Sequence, residues 1–87
     1  MQPVVIRSLL GKPAVRGAIG WANSTLYAKI QAGLFVPPVK IGPRSSRWPS
    51  DEVAAVQEAI IAGADEDELR SLVAKLVAQR STLRQAA

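Results

Sequence analysis

The chain has 87 residues, 48% of them apolar, and a formal charge of +4 from eleven Lys and Arg against seven Asp and Glu. That length sets one domain as the expectation, and the apolar share excludes a disordered chain. With no Cys and no His, the chain lacks disulfides, thiolate chemistry, the common metal ligands and the usual general base. The expectation is a non-enzyme without metal, cofactor or small-molecule substrate.

Residues 1–8, MQPVVIRS, fit a short strand or a loose arm. The first thirty residues hold no continuous apolar core of a signal sequence, and no run is long enough to span a bilayer, so a cytoplasmic location is expected. From Leu9 to Ile19 the apolar Val15, Ala18 and Ile19 fall at helical spacing. Pro13 suits the first turn of a helix, and Gly20 is a stop, which predicts a helix over 12–19.

A second helix is predicted over 23–32. Asn23 or Ser24 is its expected cap, Leu26, Ile30 and Tyr27 its apolar stripe, and Gly33 its end. Two short helices separated by a tight Gly-containing turn make a helix-turn-helix, with an ordinary helical hairpin as the alternative. The outer face of the second helix carries Asn23, Ser24, Thr25, Ala28, Lys29 and Gln31 and no acid. Such a face can approach phosphates and base edges.

Pro37-Pro38 forces an extended chain. Val39-Lys40-Ile41 and Ser46-Arg47-Trp48 alternate like half-buried strands around a Gly-Pro-Arg-Ser turn, with Val39, Ile41 and Trp48 expected inward. Lys40, Arg44 and Arg47 then point outward or sit at the tip. This is either a β-wing lying on a polyanion or a solvated hairpin whose cations guard an exposed edge. Ser50 is the expected cap of the next helix, with Asp51 and Glu52 in its first turn and Val53, Val56, Ile60 and Ile61 on its apolar face. Gly63 ends it. Asp65 and Glu68 have capping-box spacing. Leu69, Leu72, Val73, Leu76, Val77 and Leu83 then mark an amphipathic helix over 65–82, with Arg80 and Arg84 suited to its C-terminal end. That stripe has two destinations. It folds back as core, or it meets a second copy in a homodimer through Leu69, Leu72, Val73, Leu76 and Val77.

The charges are segregated. Residues 1–50 contain seven Lys and Arg and no acid; residues 51–87 contain all seven acids and four bases. A cationic N-terminal half facing a polyanion is the reading, joined to an acidic half facing water or protein. The fold expected is mainly α with a small β-hairpin: a winged helix-turn-helix over 1–62, followed by a C-terminal helix over 63–87 for packing or dimerisation.

The segment GWANSTLYAKIQAGLFVPPVKIGPRSSRW resembles the AlpA-like prophage regulators of the excisionase and MerR-like winged-helix group. Ser24, Thr25, Leu26 and Tyr27 match that family's second helix. Gly33, Phe35, Pro38, Val39, Lys40, Ile41, Gly42, Arg44, Arg47 and Trp48 match its wing, and Ser50-Asp51-Glu52-Val53 its following helix. The likeness covers residues 13–61. Ala22 stands where the family has a capping Ser, which assigns the cap to Asn23. The resemblance implies a duplex DNA-binding regulator of a phage or mobile element, or an excisionase that bends DNA for recombination. In that reading helix 23–32 enters the major groove with Asn23, Ser24, Thr25 and Lys29. Arg44, Ser45 and Arg47 of the wing meet backbone or minor groove, and Arg16 and Lys40 add backbone contacts. Tyr27, Trp21, Phe35 and Trp48 are expected in the core. Rival readings are a terminase-small-subunit-like packaging component and a protein-only adaptor whose basic face meets an acidic partner.

Overall fold

A computed structural model describes residues 6–86. Seven elements follow in order: β1 (Leu9–Leu10), α1 (Lys12–Ile19), α2 (Asn23–Gln31), β2 (Val39–Gly42), β3 (Ser45–Pro49), α3 (Ser50–Ile61) and α4 (Glu66–Ala86). The molecule is mainly helical, with α1 and α2 as a helix-turn-helix and β2–β3 as the hairpin that follows it. Among the described residues no helix is long and apolar enough to cross a membrane.

The turn between α1 and α2 works because Gly20 adopts φ +82, a left-handed conformation, and its N–H caps the Arg16 carbonyl at 2.8 Å. Gly33 does the same after α2, at φ +77. Its N–H reaches the Ile30 carbonyl, and the Leu34 N–H reaches that of Lys29, a Schellman end that turns the chain into the core. Leu34, Phe35 and Val36 are buried directly after that turn.

The sheet has the order β1-β3-β2 and is antiparallel throughout. The strand expected within residues 1–8 lies instead at Leu9–Leu10, opposite Pro49 and Trp48; residues 1–5 lie outside the described part. Ser50 does not cap α3. The extended Pro49 is the cap residue, and Ser50 continues the pairing with the first strand. Its N–H donates to the Ser8 carbonyl, and its Oγ accepts from the Ser8 N–H. Asn23 does not cap α2 either. Ala22 holds the extended cap position without a side-chain bond, because the three-residue turn from Gly20 and the inward Leu26 fix the helix phase.

One core unites Val15 of α1, Leu26 of α2, Phe35 and Val36, Trp48 of β3, Val53 and Val56 of α3, and Val73 of α4. Each such side chain removed from water contributes about 1.5–3 kcal/mol. Trp48, the largest, also donates its indole N–H to the Val36 carbonyl at 3.0 Å. Leu69, Leu72, Leu76 and Val77 pack against the same cluster. The stripe of α4 therefore folds back on its own chain, with Val73 buried and Leu69, Leu72, Leu76 and Val77 partly buried. Five apolar expectations are corrected. Ile41 is half exposed because the ladder shifts register between Lys40 and Gly42, which breaks the alternation that would have turned it inward. Ile60 and Ile61 are exposed, since the last turn of α3 runs past the core. Ala18 is exposed on α1. Leu83, on the final turns of α4, is also largely exposed.

α4 runs further than expected, and that changes the role of Arg80. Placed mid-helix, it donates Nε to Glu52 at 3.1 Å and Nη2 both to the other Glu52 oxygen and to the Pro37 carbonyl at 2.8 Å. Glu52 is buried, so this pair fastens α4 to α3 and to the loop before the hairpin. The Asp65–Glu68 capping box forms as expected, with both reciprocal backbone bonds.

Candidate nucleic-acid interface

The outer face of α2 is the centre of the candidate surface. Stepping about 100° per residue from Ser24 brings Ala28 and Gln31 to the same side. All three are exposed, as is Asn23. Leu26 and Ile30 point to the opposite side, into the core. Tyr27 lies on one flank of the outer face and Thr25 and Lys29 on the other.

Each flank carries cations. On the Lys29 flank, its ammonium stands 5.6 Å over the Trp21 ring, which in turn meets Phe35 edge to face at 5.5 Å. Arg16 donates Nε to the Trp21 carbonyl at 3.3 Å. The α1–α2 turn thus holds both Arg16 and Lys29 against Trp21, one at its carbonyl and one over its ring. On the Tyr27 flank, the Lys12 ammonium stands 5.1 Å over the tyrosine ring. Tyr27 is 41% exposed, so its expected place in the core is corrected: Leu26 takes the core position, and the next residue is rotated out of it.

Beyond Tyr27 opens a cleft of about 450 Å³ between the start of α1, α2 and the hairpin. Lys12, Tyr27, Arg44, Ser46 and Arg47 line it together with Gly11, Pro13 and Trp48. Arg44 sits exposed in the two-residue turn closed by the Gly42–Ser45 pair. Arg47 is half-buried instead of pointing freely outward. Its guanidinium donates to the Ser46 carbonyl and packs over Gly11, 3.8 Å from where a side-chain carbon on that glycine would stand. Lys40 is exposed on β2 and pairs across the ladder with Ser46. Ser45 is half-buried in the closing pair.

Of the residues expected to contact a ligand, Arg44 and Arg47 therefore meet in the cleft. Asn23, Ser24, Thr25 and Lys29 share α2, Arg16 joins Lys29 at the turn, and Lys40 and Ser45 stay on the hairpin. Sequence reasoning missed Lys12. A signal existed: Lys12 opens a helix whose first turn has no acid and whose cap makes no side-chain bond. A cation there opposes the helix dipole, so it adds nothing to helix stability.

Six of the seven acids are engaged away from this surface; the seventh, Glu58 on α3, is exposed and makes no ion pair among the described residues. Among the described residues, Asp51 is paired with Arg7, Glu52 with Arg80, and Glu66 and Asp67 with Arg70. Asp65 and Glu68 satisfy each other's backbone. Lys12, Arg16, Lys29, Lys40, Arg44 and Arg47 take part in no ion pair among the described residues. Nor do three metal-ligating side chains converge there. No family model, curated protein or solved structure matches the chain.

Proposed function

We propose that this protein binds duplex DNA, with α2 in the major groove and the β2–β3 hairpin along the adjoining backbone or minor groove. One observation carries the reading. Among the described residues, Lys12, Arg16, Lys29, Lys40, Arg44 and Arg47 of α1, α2 and the hairpin have no acidic partner, while six of the seven acids are held in ion pairs or at a helix start. A duplex presents phosphates on both sides of its major groove, and that spacing is what two cationic flanks around one helix fit. Ser24, Asn23 and Gln31 are the side chains on the exposed face that can hydrogen-bond base edges. Asn23 makes no capping bond, which leaves its amide for a base. Arg44 and Arg47 act on phosphates. Because the resemblance stated above points the same way, we assign the protein to the control of a phage or mobile element, as a regulator or an excision accessory.

Fluorescence anisotropy of a labelled duplex at several salt concentrations tests this. About five phosphate contacts give a slope of log affinity against log salt near −4.5. The Arg44→Ala/Arg47→Ala variant should weaken binding to every sequence and make the slope shallower by about 1.8. A wild-type sample that ignores duplex DNA in dilute salt, yet binds an acidic protein partner, would replace this reading with the adaptor.

A further inference from the structure

The cleft beside Tyr27 is more than a gap between the hairpin and the helices. Its wall contains three cationic side chains brought from separate parts of the chain, Lys12, Arg44 and Arg47, and no carboxylate. Like charges gathered around one opening repel one another unless an anion joins them. Two of the three are also held in place. Lys12 stands over the tyrosine ring, and Arg47 is anchored to the Ser46 carbonyl and laid against Gly11. Positioned cations converging on an open space without a counter-charge are what a tetrahedral dianion or phosphodiester needs.

We propose that this cleft is a phosphate seat, with Lys12 and Arg47 as its charged contacts and Arg44 closing it from the hairpin turn. Tyr27 is a positioning residue that holds the Lys12 ammonium over its ring. The source of the phosphate, an internal phosphodiester of the duplex backbone, rests on the DNA-binding reading; the chemistry of the seat does not. In this arrangement the backbone strand beside α2 is gripped between the start of α1 and the hairpin. Lys12 thereby joins the hairpin arginines as a determinant of register.

The test uses the whole chain, with Lys12→Gln beside a control, Lys75→Gln, on the exposed face of α4. Lys12→Gln should make the salt slope shallower by about 0.9, the value for one lost phosphate contact, while Lys75→Gln leaves it unchanged. Its melting temperature should change little, since removing a cation from a helix start offsets the lost Tyr27 contact; that separates lost contact from lost fold. If wild type binds DNA and Lys12→Gln keeps the full slope, the seat is refuted while the DNA reading stands. Inorganic phosphate, followed by amide chemical shifts in dilute buffer, gives an independent readout. Shifts confined to Gly11, Lys12, Ser46 and Arg47, and lost in Lys12→Gln, uphold the seat even if duplex DNA is not bound; shifts scattered over the surface overturn it. Duplexes with and without 5′-phosphates should bind alike, and dependence on the end phosphate would overturn the internal-backbone assignment.

Discussion

Glu52 shows how differently one residue reads in sequence and in space. In the first turn of a helix, beside Asp51, an acid matches the helix dipole and belongs on the surface. Its burial follows only from Arg80, 28 positions later, which supplies a two-point bond from α4. A buried carboxylate needs such a partner, and removing it leaves an uncompensated charge. Arg80→Met should therefore destabilise the fold by about 3–5 kcal/mol in urea titration, whereas Glu52→Leu/Arg80→Met should recover most of that loss. Equal destabilisation by the single and double variants would mean that packing, not charge, dominates the site. Tyr27 and Lys12 were hidden for a related reason. Fifteen positions separate them, and the stripe logic that placed Tyr27 inward had no way to know that Leu26 alone fills the core position. The capping errors at Asn23 and Ser50 have the opposite origin. Both residue types suit caps, but helix phase at α2 and strand pairing at Ser50 overrode local preference.

At the scale of elements, the helix boundaries set by Gly20, Gly33 and the Asp65–Glu68 box were legible because local chemistry decides them. The hairpin was legible from its turn, although the alternation failed at Ile41, where the ladder shifts register. β1 was not, because a two-residue strand carries no period and exists only through Pro49 and Trp48 on the far side of the chain. The destination of α4 was open in sequence, since an apolar stripe does not name its partner. In the fold, that helix contributes Val73 to the core and Arg80 to Glu52. A chain cut after Ala62 should thus lose cooperative thermal unfolding, with both the core and a buried carboxylate uncovered. If residues 1–62 alone melt as sharply as the full chain by circular dichroism, α4 is an appendage, not part of the folding unit.

Over the whole molecule, the segregation of charge along the sequence becomes a division of labour in space. Asp51 and Glu52 tie α3 to Arg7 and to α4, Glu66 and Asp67 pair with Arg70 within α4, and the cations around α2 are left uncompensated among the described residues. Trp21 and Trp48 lie at the two ends of that division. Trp48 is sealed in the core and bonded to Val36; Trp21 is half-buried beneath Lys29 at the helix-turn-helix corner. The chain is accordingly fitted with two intrinsic fluorophores of different purpose. DNA engaging Lys29 should quench or shift the emission of Trp21, measured in Trp48→Phe, while Trp48 in Trp21→Phe should stay silent on binding and respond only when the protein unfolds.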